Sequence, residues 1–336
     1  MKIDGSLTSD LGLAGNHAAE QEAAGYDGLI TAETSHDPFL PLLVAAQHTE
    51  KIELATGIAV AFARSPMTLA MTANDVQLAS KGRFILGLGS QIKPHITRRF
   101  SMPWSHPAAR MRELVLAMRA IWSCWHDGAK LDFEGDFYTH NLMTPFFNPG
   151  ESEFGAPPVF LAAVGERMSE VAGEVCDGIL VHGFTTERYL KEVTVPAVER
   201  GMKAADRSPG DVQFSIPAFI VLGDDDEEIA THAEGVKGQI AFYGSTPAYR
   251  GVLDLHGWGH LQDELKAMTK AGRWSEMGDL IDDEMLRTFA VIGSADEVVS
   301  QLRSRFGGIV DRMSFYAPYR VEPYRWAPVI DGLKAP

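Results

Sequence analysis

The segment Ala163-Val164-Gly165-Glu166-Arg167 carries the strongest chemical signal in this sequence. Small residues follow a short apolar run there, and a helical pattern begins directly after them. The free N–H groups and the positive dipole end of a helix start attract an anion. We therefore predict that these five residues hold a phosphate group of a cofactor, with Arg167 adding positive charge. A tight strand-to-helix connection without a ligand is the alternative.

A second apolar run ends in Gly87-Leu88-Gly89-Ser90, where small residues would let a ligand contact the backbone. The motif is not a dinucleotide fingerprint, because Ile92 occupies the position of the third glycine. It is not a P-loop either, since no Lys-Ser or Lys-Thr follows. We predict that Gly87, Gly89 and Ser90 contact the cofactor, and a tight turn that ends the strand is the alternative interpretation.

Histidines at two places could do chemistry. His182-Gly183 follows an apolar strand pattern, so the imidazole either faces the cofactor or is a hydrogen-bonded core residue. His256 and His260 are four residues apart, but the two glycines around Trp258 disfavour a helix that would bring them together. We predict a loop there and no metal site in the chain.

These segments lie at strand ends in a repeated strand-helix pattern. Strand patterns cover residues 3–7, 28–33, 52–57, 84–88, 159–162, 178–181, 212–222 and 311–316. Eight right-handed strand-helix units predict an α/β protein with a (β/α)8 TIM barrel, whose active site lies at the carboxyl ends of the strands. Glu33 and His36 also lie at such an end, after the second strand.

Two stretches interrupt the repeat, at about residues 127–158 and 244–290. The first contains a hairpin pattern around Gly135, and the second has no regular pattern. We interpret both as insertions into one domain that spans residues 1–336. Tyr243, Tyr249 and Trp258 of the second stretch are candidates to wall a substrate pocket.

Composition excludes several classes of function. The formal net charge of −15 argues against nucleic-acid binding, which needs concentrated basic residues. Apolar stretches are too short to span a bilayer, and the sequence starts without a signal-peptide pattern, so we expect a cytoplasmic protein with no membrane partner. The two cysteines, Cys124 and Cys176, indicate no disulfide framework.

Five segments together resemble the luciferase-like monooxygenase superfamily, within it the branch of oxidoreductases that use the deazaflavin coenzyme F420. They are residues 24–29, 52–58, 81–90, 161–165 and 176–179. The most specific of them is the Gly-Arg-Phe-x-Leu-Gly-x-Gly string that begins at Gly82. The resemblance spans nearly the whole chain, and it implies a luciferase-like TIM barrel with insertions and a phosphate site after the fifth strand.

The resemblance also implies roles for particular residues. Thr56, Gly57 and Ile58 match a bulge at the end of the third strand, where a cis peptide between Gly57 and Ile58 would back the flavin ring. Family members often carry an Asp-His pair after the second strand. This chain has Glu33-Thr34 instead, with His36 two residues later. We expect Glu33 or His36 to be the catalytic acid or base.

Together these features predict an oxidoreductase that transfers a hydride between coenzyme F420 and a small-molecule organic substrate. An FMN-dependent luciferase-like monooxygenase is the alternative within the fold, and a flavin-binding protein without turnover is the alternative from another class. A phosphosugar barrel enzyme is disfavoured, because no glycine-rich turn follows the seventh and eighth strands. Barrels of this family commonly pair, so we also expect a homodimer.

Overall fold

A closed ring of eight parallel strands forms the centre of the computed structural model, which describes residues 1–335. The strands are β1 (Lys2–Ser6), β2 (Gly28–Thr31), β3 (Glu53–Thr56), β4 (Phe84–Gly89), β5 (Val159–Ala163), β6 (Gly178–Val181), β7 (Gln213–Leu222) and β8 (Arg312–Tyr316). The ring closes because β1 pairs with both β2 and β8, with Ile3 opposite Met313. The (β/α)8 barrel that the sequence predicted is therefore confirmed.

Helices surround the barrel. They are α1 (Ala14–Ala23), α2 (Phe39–His48), α3 (Pro66–Ala79), α4 (Pro107–His126), α5 (Glu166–Val175), α6 (Val195–Ala204), α7 (Asp226–Gly244), α8 (Arg250–Leu255), α9 (Gly259–Ala271), α10 (Asp283–Phe289), α11 (Ala295–Phe306) and α12 (Ala327–Lys334). None of the helices within residues 1–335 combines the length and the apolar character needed to cross a bilayer.

Side-chain caps explain where several helices begin. Ser65 caps α3 by accepting the N–H of Thr68, and Asp225 caps α7 in the same way. Ser294 and Glu297 form a capping box at the start of α11. These polar contacts satisfy N–H groups that the first helical turn leaves without partners.

The lower half of the barrel interior is filled by side chains. At the amino-terminal end, the buried guanidinium of Arg312 binds Asp4 at 2.6 Å and also pairs with Glu53. Burial raises the pKa of Asp4, and the positive charge of Arg312 only partly offsets this increase. Above this ion pair lies a small apolar layer that contains Ala55, Ile85 and Phe160. A cavity of about 320 Å³ lies below this layer at the amino-terminal end, and Arg83, Asp177 and Arg312 contribute to its lining. The predicted site residues lie at the opposite, carboxyl-terminal end, which we call the barrel mouth.

The first insertion contains the predicted hairpin, in which Phe133–Glu134 pairs with Thr139–His140. The carboxylate of Glu113 on α4 accepts the N–H groups of Asp136, Phe137 and Tyr138, and so ties the hairpin to the barrel.

The second insertion is not irregular, and here the sequence interpretation was wrong. Residues 244–290 form α8, α9, α10 and two 3-10 segments, which share a separate hydrophobic core with α7. An additional short strand, Ala290–Gly293, then pairs with the upper half of β7. The segment around Trp258 is a tight turn between α8 and α9, with Gly257 at a positive φ of 78°.

The two cysteines lie in the core. Both Cys124 and Cys176 are buried and unpaired. Burial raises the pKa of the Cys176 thiol to about 12, so this thiol stays protonated and unreactive.

Candidate cofactor site at the barrel mouth

The chain bulges inward directly after β3. The peptide bond between Gly57 and Ile58 is cis, as the resemblance implied. The bulge is fixed from β2, because Gly57 donates its N–H to the carbonyl of Thr31 at 2.7 Å and Ile58 accepts the N–H of Glu33 at 3.1 Å. A Cβ at Gly57 would lie 2.5 Å from the side chain of Ile30, so a larger residue at this position would displace Ile30.

The glycines of β4 make room for this bulge. A Cβ at Gly87 would lie 1.8 Å from the carbonyl oxygen of Thr56, and a Cβ at Gly89 would lie 2.7 Å from the Ile58 side chain. Both glycines are buried, while Ser90 at the end of the run is partly exposed. Gly87 and Gly89 therefore allow β3 and β4 to approach each other, and Ser90 is the residue of this run that solvent reaches.

The start of α5 is open to solvent. Gly165 is the N-cap residue, with a φ of 76° and no side-chain cap, and no atom lies within 4 Å of the position that a Cβ would occupy. The neighbouring Val164, Glu166 and Arg167 are exposed, and Ala163 ends the buried strand. This geometry fits a phosphate, because first-turn N–H groups without a side-chain cap can donate to it.

One negative charge lies close to this helix start. Glu166 is the first residue of α5, and its carboxylate binds Arg200 at 2.6 Å and is thereby partly neutralised. Arg200 also binds Glu170 at 3.0 Å, on the next turn of the helix. The guanidinium of Arg167 has no acidic partner within residues 1–335, so it is available to an anion.

Glu33 and His36 have very different surroundings. Glu33 is buried, where its carboxylate accepts the N–H of Val60 at 2.7 Å and pairs with Arg64 at 2.6 Å. Arg64 also contacts Asp37 at 3.0 Å. His36 is exposed, and its ring has no hydrogen-bond partner in the described chain. Glu33 thus fixes the chain that follows the cis bulge, whereas the His36 ring is not held by another described residue.

His182 lies at the end of β6 in a cluster of aromatic rings. Its ring stacks on Tyr249 at 4.4 Å and meets Tyr243 edge-on at 4.7 Å. Its Nδ1 accepts the N–H of Phe184 at 3.0 Å, and its Nε2 lies 3.0 Å from the Tyr249 hydroxyl. Burial lowers the pKa of His182 to about 4, so the imidazole is neutral near pH 7. Gly183 packs against β7 and β8.

One residue of this cluster was missed in the sequence. Tyr316 ends β8, where its hydroxyl lies 2.8 Å from that of Tyr243, and its ring stacks on Phe219 at 4.8 Å. Its position at the carboxyl end of the last strand was the available signal. No local motif marks this position, and its partner Tyr243 lies on a helix 73 residues away.

The predicted residues follow one another around a single rim. Strand pairing places Thr31 beside Thr56, Leu88 beside Leu161, and Ala163 beside Val181. The β3 to β5 side of the mouth therefore carries the bulge, Ser90 and the open start of α5. The β6 to β8 side carries the aromatic cluster.

A family model described as luciferase-like monooxygenase matches residues 4–312. The chain belongs to the luciferase-like monooxygenase family. The matched residues contain nearly all of the barrel, both insertions and the cis bulge.

The chain is similar in sequence to two mycobacterial proteins and in fold to a solved reductase structure. An uncharacterized protein of Mycobacterium tuberculosis is 55% identical over 313 residues, which cover 93% of this chain and 92% of the relative. A putative coenzyme F420-dependent oxidoreductase of the same organism is 27% identical, over 85% of this chain and 86% of its own. The structure of the coenzyme F420-dependent tetrahydromethanopterin reductase from Methanopyrus kandleri has a TM-score of 0.78 at 20% identity, covering 99% of this chain and 96% of that one.

Proposed function

We propose that this protein is an oxidoreductase that transfers a hydride between coenzyme F420 and a small organic substrate. The observation that carries the proposal is the pairing, on one rim, of the bulge after β3 with an open, glycine-led helix start after β5. The first would support a flat tricyclic ring, and the second would bind the phosphate of its tail. The relative named as an F420-dependent oxidoreductase favours the deazaflavin.

Different residues of the chain would bind the ring, bind the phosphate and transfer the proton. The coenzyme supplies the hydride chemistry, and the protein supplies orientation and a proton. Thr56, Gly57 and Ile58 would hold the ring, while Gly165 and Arg167 would hold the phosphate. His36 would serve as the acid or base, because Glu33 is already bound to Arg64.

An FMN-dependent monooxygenase is the second candidate, and the family's own description favours it. Titration of the protein with oxidised F420 and with FMN, followed by measurement of oxygen uptake in the presence of each reduced form, separates the two. We expect F420 to bind at one per chain with no oxygen uptake. Binding of FMN alone, with oxygen consumed, would overturn the proposal.

A flavin-binding protein without turnover is the third candidate, and the ion pair between Glu33 and Arg64 favours it, since this pair occupies one of the two predicted acids. Reduced F420 is incubated with a panel of enones, imines and quinones, and its reoxidation is followed by absorbance. Turnover with at least one member supports the enzyme, whereas tight binding without any reoxidation supports the binding protein.

We also propose that the chain forms a homodimer. Three large apolar side chains of the first insertion, Leu142, Phe146 and Phe147, are at least 72% exposed. Covering such a patch with a second copy would remove apolar surface from water. Light scattering after gel filtration should give twice the mass of one chain, and a monomer at micromolar concentration would contradict the proposal.

A further inference from the structure

The β6 to β8 side of the mouth presents side chains that the proposed cofactor site does not use. Arg312 faces the barrel interior, since it pairs with Asp4, and Tyr316 lies four residues further along the same strand. Leu180 packs in the interior layer, and His182 lies two residues beyond it. Because side chains alternate along a strand, Tyr316 and His182 both face the axis at the open end.

The cluster has two hydroxyl hydrogens that its internal hydrogen bonds leave available to a ligand. Nδ1 of His182 accepts from Phe184, so the proton of the neutral imidazole is on Nε2 and is donated to the oxygen of Tyr249. The hydroxyl hydrogen of Tyr249 then stays available. Tyr243 and Tyr316 share one hydrogen between their oxygens, so this pair also retains one hydrogen for another acceptor.

The cluster offers these hydrogens without any charge. In residues 1–335, none of the rings of His182, Tyr243, Tyr249 and Tyr316 takes part in an ion pair or a cation–π contact. Burial is the main reason that the pKa of Tyr316 is raised and that the pKa of Tyr249 is raised to about 12. Both side chains therefore remain hydroxyl donors. The walls around them are aromatic, since Phe219 stacks on Tyr316 and Phe184 packs against Tyr249.

We propose that this side of the mouth binds a neutral, apolar carbonyl compound, whose oxygen accepts a hydrogen bond from the Tyr243–Tyr316 hydroxyl pair. The inference rests on the proposed function, because this compound would be the substrate of the hydride transfer. Two neutral donors in an aromatic wall match an uncharged oxygen acceptor. A carboxylate or a phosphate ester would lose its hydration there without gaining an opposite charge.

Three compounds of similar shape test the proposal directly. Acetophenone carries a carbonyl oxygen, ethylbenzene carries no acceptor, and benzoate carries a negative charge. Their dissociation constants are measured by ligand-observed NMR on the full chain, with and without F420. We expect acetophenone to bind about threefold to tenfold more tightly than ethylbenzene, which is the range for one net hydrogen bond, and benzoate to bind most weakly.

Replacing hydroxyls identifies the donor. The double change Tyr243→Phe with Tyr316→Phe removes both oxygens of the pair, and it should abolish the preference for acetophenone while leaving ethylbenzene binding unchanged. Each single change keeps one hydroxyl and should reduce the preference by less. Tyr324→Phe is the matched control, because Tyr324 is 74% exposed, and it should change nothing. Thermal unfolding verifies that each variant is folded.

Three results would overturn the inference: absence of acetophenone binding, tighter binding of benzoate than of acetophenone, or an unchanged preference in a folded double variant. Binding of F420 is measured separately on the same samples. If F420 fails to bind to the wild-type chain, the proposed function falls. The order of affinities among the three compounds then still decides whether this surface takes a neutral carbonyl compound.

Discussion

The side chain of Thr56 makes two hydrogen bonds to the backbone of Gly87. Its hydroxyl donates to the carbonyl oxygen at 2.7 Å and accepts the N–H at 2.9 Å. The residue is fully buried, and the carbonyl of Thr56 occupies the space that a side chain at position 87 would need. The two strands are therefore locked together directly before the bulge that carries Gly57 and Ile58.

Replacement of Thr56 by valine should destabilise the protein. The change keeps the volume of the side chain but leaves the N–H and C=O of Gly87 without their buried partner, at a cost of about 2–4 kcal/mol. Urea unfolding measures the loss. Thr56→Ser keeps the hydroxyl and should lose much less, so equal losses in the two variants would contradict this account.

Gly87→Ala should be more damaging than other glycine changes. The added methyl would lie 1.8 Å from a backbone oxygen, and a shift of β3 or β4 would cost about 3 kcal/mol or more. Gly238→Ala is the control, because that glycine lies within α7 with open space around it, and alanine there should stabilise by about 0.5–1 kcal/mol. If Gly87→Ala has wild-type stability, β3 and β4 do not approach as described.

Replacement of Glu33 should change the stability of the protein, whereas replacement of His36 should change its turnover. Glu33→Gln weakens the bond to Arg64 and should lower the free energy of unfolding by about 1–3 kcal/mol. His36→Gln, at an exposed site, should leave stability unchanged and slow hydride transfer by about 10²- to 10⁴-fold. Normal turnover of His36→Gln would remove His36 as the acid or base.

Acid should destabilise the aromatic cluster through His182. Its pKa is about 4 in the folded chain and 6.5 ordinarily, so between these values the unfolded chain binds a proton that the folded chain does not. Stability should therefore fall as the pH is lowered from about 6.5 to about 4. Thermal unfolding across this range should show a weaker pH dependence in His182→Gln than in wild type. A wild-type pH dependence in His182→Gln would contradict the assignment of this effect to His182.

Local sequence patterns were sufficient to predict the barrel and one half of its mouth. Strand periodicity and turn glycines predicted all eight strands, and the small residues before α5 predicted an open helix start. The cis bond at Gly57 followed from the family resemblance and not from periodicity. These features depend on residues that are close together in the chain.

Contacts between distant segments could not be predicted in the same way. The sequence gives no sign that Glu33 pairs with Arg64, 31 residues away, and this pairing changes a candidate acid into a fixed anchor. Nor does it show that Tyr243 meets Tyr316 across 73 residues. The helices of residues 244–290 were missed for a related reason, since they are short and are stabilised by a core that they build with α7.

Binding of coenzyme F420 to two glycine variants tests the central claim most directly. Gly165 and Gly128 both have a positive φ, of 76° and 70°, and open space around the position of a Cβ, so alanine strains the backbone at both positions without meeting another atom. Gly165 starts α5 at the mouth, whereas Gly128 follows the end of α4. The account predicts at least about tenfold weaker F420 binding for Gly165→Ala and wild-type binding for Gly128→Ala. Equal affinity in the two folded variants would contradict a phosphate site at the start of α5.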